Sequence, residues 1–259
     1  MNEPEKEPSK VSCVDCKAWA CFPDVSKAKT SRREPPPYCP ARAQKEVCEE
    51  ALAKYNGKTL EFAHNVALIE NSCYALDPES KSAVLPMITM HPRAEEIIML
   101  AKVSGYKKLG LAFGIELQQE AKLYTDILEN NGFEVVSVCC KAGGVPKDKI
   151  GITKDEKLHG PDSKETMCSG LIMAELLNSE NTDMNIMMGL EVGQDALFYK
   201  YAKAFTIPFV IIDRIYGGAT MEGVYQCFNS WGFRNYTEEV DNGFGLMRSS
   251  MLAREGGSK

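Results

Sequence analysis

The chain has 259 residues, 44% hydrophobic and 25% charged, a composition typical of a globular protein with one large domain or one domain and an appendage. Its formal net charge of −6 argues against a nucleic-acid-binding surface, because neutralising phosphates requires clustered lysines and arginines. The first ten residues are polar and no apolar run approaches membrane-spanning length, so we expect a cytoplasmic protein that binds neither nucleic acid nor membrane.

The N-terminal segment is rich in cysteine and poor in periodic apolar residues. A segment of this size cannot bury enough apolar surface to fold unaided, so such segments usually depend on a bound metal. We therefore predict two parts: a cysteine-rich metal- or cluster-binding segment at residues 1–45, and a helical lead-in with an α/β domain at residues 46–259. In a reducing compartment, the ten cysteines of the chain favour ligands, reactive thiols or buried residues over disulfides.

The elements after this segment follow from apolar periodicity. Helices are predicted at residues 41–56 and 92–105, and strands and helices then alternate. The predicted strands are residues 107–113, 133–140, 183–190 and 207–213, and the helices between them are residues 116–132, 169–180 and 194–204. Strands that are apolar throughout and separated by helices indicate a parallel sheet covered on both faces. The sequence therefore predicts an α/β fold with a doubly wound, mostly parallel sheet in a Rossmann-like three-layer arrangement.

Four cysteines form the first candidate site. Cys13, Cys16, Cys21 and Cys39 follow the spacing C-x2-C-x4-C-x17-C, and Pro40 comes directly after the last. A C-x2-C pair directs two thiolates at one ion, and two further cysteines complete a four-sulfur site for zinc or an iron–sulfur cluster. We favour a 4Fe-4S cluster over zinc, because zinc ribbons usually have two C-x2-C pairs and a final Cys-Pro is typical of ferredoxin-type sites. The alternative interpretation is four free thiols in an arm.

The ends of the predicted strands form the second candidate site. In an open parallel sheet, ligands lie in the crevice beyond the carboxyl ends of the strands. Cys168 comes just before a predicted helix, where the positive end of the helix dipole favours a thiolate. We predict that this cleft binds a metal, a cofactor or a small ligand. Its candidate residues are Cys140, Cys168, Glu191, Gln194 and Asp195. For each there is a structural alternative, such as apolar packing for a cysteine or helix capping for Asp195.

Two functions remain open for this cleft. In the first, the chain is a metal- or iron–sulfur-binding protein whose cleft binds or carries a small molecule or metal. In the second, it is an iron–sulfur enzyme that performs redox or sulfur-transfer chemistry on a small molecule. Cys168 then acts as the thiolate, Glu191 as a ligand or general base, and Lys141 as a charge stabiliser. The oligomeric state is also open, and it includes a homo-oligomer.

Several segments resemble a known family. They include GFEVVSVCCKAGG, MCSGLIMAELLN and VGQDALF, together with the N-terminal cysteines. On these residues the chain resembles an uncharacterised prokaryotic family, domain of unknown function 1847, whose members are described only as metal-binding. The family pattern has cysteines at two positions and histidines at two others where this chain has Gly114, Glu191, Gln194 and Gly218. The resemblance thus implies a cleft that keeps Cys140 and Cys168 but has lost other ligands, which favours binding over catalysis.

Overall fold

The structure is a computed structural model of the chain, and it describes residues 11–18, 20, 21, 34–77, 79, 87–221 and 224. The chain divides into two compact units, Met1–Tyr106 and Lys107–Lys259. Within the cysteine-rich segment, residues 1–10, 19 and 22–33 lie outside the described part. The predicted boundary after residue 45 falls within the first unit, and it stays a prediction.

The first unit is mainly helical. Its elements are α1 (Pro40–Ala43), α2 (Lys45–Ala53), α3 (Gly57–Ser72), β1 (Tyr74–Leu76), β2 (Met87–Thr89) and α4 (Arg93–Val103). The single helix predicted at residues 41–56 is two helices, because Gln44 between them has a non-helical backbone. The strands β1 and β2 pair antiparallel, and neither they nor α3 were predicted. The helix predicted at residues 92–105 is confirmed as α4.

The second unit alternates strands and helices. Its elements are β3 (Lys108–Phe113), α5 (Gln118–Asn130), β4 (Glu134–Cys139), α6 (Gly170–Ser179), β5 (Met184–Met188), α7 (Val192–Tyr201) and β6 (Phe205–Val210). All four predicted strands and all three predicted helices of this region are present, with ends that differ by a few residues. Short 3₁₀ turns lie in the connections after β3 and β4.

The four strands form one parallel sheet in the order β4-β3-β5-β6, so the predicted α/β fold with a parallel sheet is confirmed. Ala112 of β3 packs in one core cluster with Met173 of α6 and Phe198 of α7. Tyr124 of α5 instead stacks against Phe209 of β6, with 4.5 Å between the ring centroids. The chain crosses from β3 to β4 in one direction and from β4 to β5 in the opposite direction. Because connections between parallel strands are right-handed, α5 and α6 lie on opposite faces of the sheet. The sheet thus lies between two helical layers.

The order of strands reverses between β3 and β5. The chain runs from β3 outward to β4 and then crosses back to β5 on the other side of β3. Such a reversal opens a crevice at the carboxyl ends of the two central strands, where open α/β sheets bind ligands. Among the helices of the described ranges, none has both the length and the apolar character needed to cross a bilayer.

A polar side chain lies in the centre of this sheet. Asn185 of β5 is fully buried, and its Oδ1 accepts a hydrogen bond of 2.7 Å from Thr182 Oγ1. Gly110 of β3 leaves the space that this side chain fills, because a Cβ at Gly110 would overlap Asn185 Oδ1 and approach Leu177 Cδ1 to 2.8 Å. The glycine is therefore required by packing and not by backbone conformation.

We expect Gly110→Ala to destabilise the protein by about 1–3 kcal/mol, because overpacking a rigid core forces neighbouring atoms to move. Denaturation by urea measures the change in unfolding free energy. Gly193→Ala on α7 is the matched control, since a Cβ there would meet no atom within 4 Å. Equal stability of the two variants would contradict the packing role of Gly110.

Candidate functional site

The floor of the candidate cleft is backbone. Gly114 N, just after β3, donates to Met188 O at 2.9 Å, and Gly189 N donates to Val210 O at 2.8 Å. A Cβ at Gly114 would overlap the carbonyl oxygen of Gly189, and Gly189 itself has a φ of +64°. With this backbone no side chain fits at position 114, because the ends of β3 and β5 approach each other closely there. This chain therefore has no room for the cysteine that the family resemblance implies at that position.

Two cysteines meet beside this floor. Cys140 N donates to Phe113 O at 2.9 Å, and Ser169 N donates to Cys140 O at 2.9 Å, which brings residue 168 next to Cys140. Cys168 packs against the core cluster that contains Cys140. Cys140 is only 5% exposed and packs in the core, whereas Cys168 is half-buried. The structure thus brings together the two ends of the connection between β4 and α6, with one thiol inside and one at the surface of the cleft.

The environment of Cys140 keeps it protonated. Burial, helped by the nearby Cys168 and Glu116, raises the pKa of the Cys140 thiol to about 11. A backbone hydrogen bond of 3.4 Å, donated by Ile115 N to Cys140 Sγ, opposes this shift only in part. Cys140 is therefore a neutral thiol near pH 7, in keeping with the alternative of apolar packing.

Lys141 lines the same cavity as the more exposed thiol. Its Nζ donates to Thr166 O at 2.8 Å. Burial alone would lower the pKa of Lys141, but the nearby Cys168, with Cys140 and Glu191, outweighs burial and raises it. The ammonium group is therefore charged at neutral pH.

An open cavity of about 890 Å³ lies in front of Cys168. Basic side chains outnumber acidic ones along its wall, although the chain as a whole is acidic. The basic residues are Lys141, Lys147, Lys157, Lys164 and Arg214, and the acidic residues are Glu156, Glu165 and Glu191. A locally positive cavity in a negatively charged protein concentrates small anions.

One buried carboxylate organises the outer wall of the cavity. Glu165 is 8% exposed, and its Oε2 accepts from Lys147 Nζ at 2.5 Å. Its Oε1 accepts from His159 N at 2.7 Å and from Ser163 Oγ at 3.2 Å. These contacts tie together the connection between β4 and α6. The sequence offered no motif that would have singled out Glu165, because its partners become neighbours only through the path of this connection.

The hydrogen bond from Lys147, with that from His159 N, lowers the pKa of Glu165 to about 2 from an ordinary 4.5. A carboxyl group with a lowered pKa stabilises the fold fully above its unfolded pKa, and loses that contribution as the pH falls through its folded pKa. We therefore expect the backbone amides of the wall to lose protection from hydrogen exchange as the pH falls from about 4.5 to 2. The Glu165→Gln variant should show weaker protection at pH 7, and its protection should not change over this pH range.

Hydrogen exchange of residues 147–165, followed as a function of pH, measures this effect. Glu129→Gln on the exposed side of α5 is the matched control, and it should leave exchange in the wall unchanged. A wall in Glu165→Gln that is as protected as the wild type at pH 7 would contradict the organising role of the carboxylate.

The other predicted cleft residues have different positions. Glu191 Oε1 forms an ion pair of 2.5 Å with the Arg214 guanidinium. Gln194 Oε1 accepts a hydrogen bond of 2.5 Å from Gly170 N, so this side chain caps the start of α6. Both residues line the cavity, whereas Asp195 lies on α7 and burial raises its pKa. The ligand and catalytic roles suggested for these residues stay predictions.

The cysteine-rich segment places parts of the predicted metal site near one another. Cys16 N donates to Cys13 O at 3.1 Å, which forms the tight turn expected of a C-x2-C pair. Ser12 N donates to Tyr38 O at 3.4 Å, and this contact brings the turn beside Cys39. These hydrogen bonds therefore bring the turn of Cys13 and Cys16 and the segment that precedes Cys39 next to each other.

The four thiols do not form a finished site. Cys13 and Cys21 are exposed, and Cys16 and Cys39 are half-buried. Within the described ranges, no three His, Cys, Asp or Glu side chains are placed to hold a metal ion together. The metal or cluster at these cysteines, and a second metal in the cleft, stay predictions.

Comparison with known proteins places this α/β protein in a family. The chain belongs to the family described as protein of unknown function (DUF1847), whose profile matches residues 39–209. It is 45% identical over 133 residues to an uncharacterized protein of Methanocaldococcus jannaschii, a match that spans 51% of this chain and 66% of that relative. No solved structure matches the chain. The predicted family is confirmed, and the matched region contains the residues named for the cleft except Arg214 and, of the four N-terminal cysteines, only Cys39.

Proposed function

We propose that this chain is a metal-binding protein whose α/β cleft binds a small anionic ligand beside Cys168. The observation that carries the ligand class is the Lys141 ammonium group, which lies at the strand ends and faces a cavity with an excess of basic residues. An ammonium group has three N–H donors, and here the carbonyl oxygen of Thr166 accepts from it. This arrangement leaves donor capacity for a ligand.

The neighbouring charges are more fully engaged. Lys147 is paired with Glu165, Arg214 with Glu191, and Lys157 with Asp148 at 3.1 Å. These ion pairs build the wall, whereas Lys141 donates to the neutral carbonyl oxygen of Thr166. A carboxylate or phosphate oxygen at Lys141 would therefore form a charge-assisted hydrogen bond without displacing an existing ion pair. A volume of about 890 Å³ is in the range of small-molecule and cofactor sites.

Small anions provide the first test. Thermal shifts with phosphate, pyrophosphate, citrate and succinate rank the anions, and calorimetry then measures the affinity of the best one. We expect Lys141→Met to weaken that affinity by about tenfold or more, because a hydrogen bond to a charged group contributes about 1.5–3 kcal/mol. Lys122→Met, on the surface of α5, should bind as the wild type does. Equal affinity of the two variants, or no binding of any of these anions, would contradict an anionic ligand.

The metal-binding part of the proposal rests on the four N-terminal cysteines. Four thiolates would hold either zinc, as a structural staple, or a 4Fe-4S cluster, which adds electron transfer. The turn of Cys13 and Cys16 beside Cys39 supports this reading. A cytoplasmic location is part of the same proposal, since reduced thiols persist there.

Metal analysis and an absorption spectrum of anaerobically purified protein test this part. We expect a brown protein with iron and acid-labile sulfide, or a colourless one with stoichiometric zinc. Cys39→Ser should lower the bound metal strongly, because thiolate is the preferred ligand of both. Cys48→Ser on α2, whose thiol is 3.8 Å from Pro40 O, is the matched control and should keep the metal. A wild-type protein free of iron and zinc would refute the proposal.

A second candidate function is redox or sulfur-transfer chemistry at Cys168. The observation in its favour is that Cys168 packs against the core cluster that contains Cys140, in a cavity that Lys141 also lines. Binding of an anion needs only Lys141, whereas this chemistry needs both sulfur atoms.

A further inference from the structure

The two thiols of the cleft differ in access. Cys168 lines the cavity and is half-buried, so a small molecule in the cavity reaches its sulfur. Cys140 lies behind it, 5% exposed, in a cluster with Met173 and Leu190. A ligand in the cavity therefore meets Cys168 first. Cys140 can react only with a group already attached to its neighbour.

The backbone holds the pair in place from both sides. Ser169 N bonds Cys140 O, and Cys140 N bonds Phe113 O, so both cysteines are anchored to the end of the sheet. Ile115 N donates to Cys140 Sγ and fixes the position of the inner sulfur. Lys141, the residue after Cys140, lines the same cavity as Cys168 and places an ammonium group there.

We propose that Cys168 and Cys140 are an attacking and a resolving thiol that together reduce a small anionic disulfide. The substrate class rests on the proposed anion-binding cleft, since the same basic wall would hold carboxylate or phosphate groups on the disulfide. The disulfide itself is the oxidant, and the two thiols supply the two electrons.

Both steps are thiol–disulfide exchanges. In the first, Cys168 loses its proton to solvent and attacks one sulfur of the substrate R–S–S–R. A mixed disulfide between Cys168 and R–S forms, and the other half leaves as a thiolate that takes up a proton. In the second, Cys140 attacks the Cys168 sulfur, and its proton passes to the departing R–S group. The products are two R–SH molecules and a Cys140–Cys168 disulfide, and an added dithiol reverses that disulfide.

Mass spectrometry of the full-length reduced protein tests the proposal. The protein is exposed briefly to 3,3′-dithiodipropionate, which is anionic, or to bis(2-hydroxyethyl) disulfide, which is neutral, and is then quenched with acid, alkylated and digested. We expect linked peptides of Cys140 and Cys168 as the first product within the cleft unit, and their loss on treatment with dithiothreitol. The anionic disulfide should react about tenfold faster at low ionic strength, and this preference should fall as salt is added.

Three variants assign the roles. Cys140→Ser should accumulate the mixed disulfide on Cys168, and Cys168→Ser should leave Cys140 unmodified, because its sulfur is buried. Cys139→Ser, at the neighbouring position, is the matched control and should form the Cys140–Cys168 link at the wild-type rate.

Two results would overturn the dithiol pair. They are a mixed disulfide that persists on Cys168 in the wild type, and a link of Cys168 to a cysteine other than Cys140. Equal rates with the anionic and the neutral disulfide would overturn the substrate class and count against the anion-binding cleft, while the link itself would still establish the exchange. The two failures are therefore distinguishable.

Discussion

The hydrogen bond between Ser169 N and Cys140 O joins the two ends of the connection between β4 and α6, which builds the cleft. Parallel pairing of β3 with both β4 and β5 sets the ends of these strands side by side, and Cys140 continues that pairing one residue beyond β4. The long connection after β4 then returns to the same point before α6 begins. Because this bond holds residue 169 beside Cys140, Cys168 lies close to Cys140. The residues between the two cysteines then line the cavity.

The charged residues of the cavity come mostly from the connection between β4 and α6. The connection is rich in lysine, and a single carboxylate, Glu165, gathers Lys147, a backbone N–H and a hydroxyl group into one hydrogen-bonded centre. A buried carboxylate is tolerated only when its oxygen atoms are fully paired, as they are here. Ion pairs engage Lys147, Lys157 and Arg214 of the wall, whereas Lys141 donates to the neutral carbonyl oxygen of Thr166. A cation with a neutral partner therefore lies in the same cavity as Cys168.

The sheet could be predicted from the sequence, because each strand is a short continuous run of apolar residues between segments with helical periodicity. It was insufficient for α3, whose apolar residues are largely exposed, and for the break at Gln44, which no proline or glycine marks. The meeting of Cys140 and Cys168 was anticipated from the rule that ligands lie at strand ends. The cap that Gln194 forms on α6 and the hydrogen-bonded centre around Glu165 were not anticipated. Each depends on a partner that is distant in sequence.

The departures from the family pattern have a physical explanation at two positions. Gly114 is required by the carbonyl oxygen of Gly189, so the backbone at the reversal of strand order can close only without a side chain. Gln194 holds the first N–H of α6, which fixes the start of the helix that presents Cys168. In this chain Gly114 and Gln194 therefore have structural roles at the strand ends beside Cys140 and Cys168.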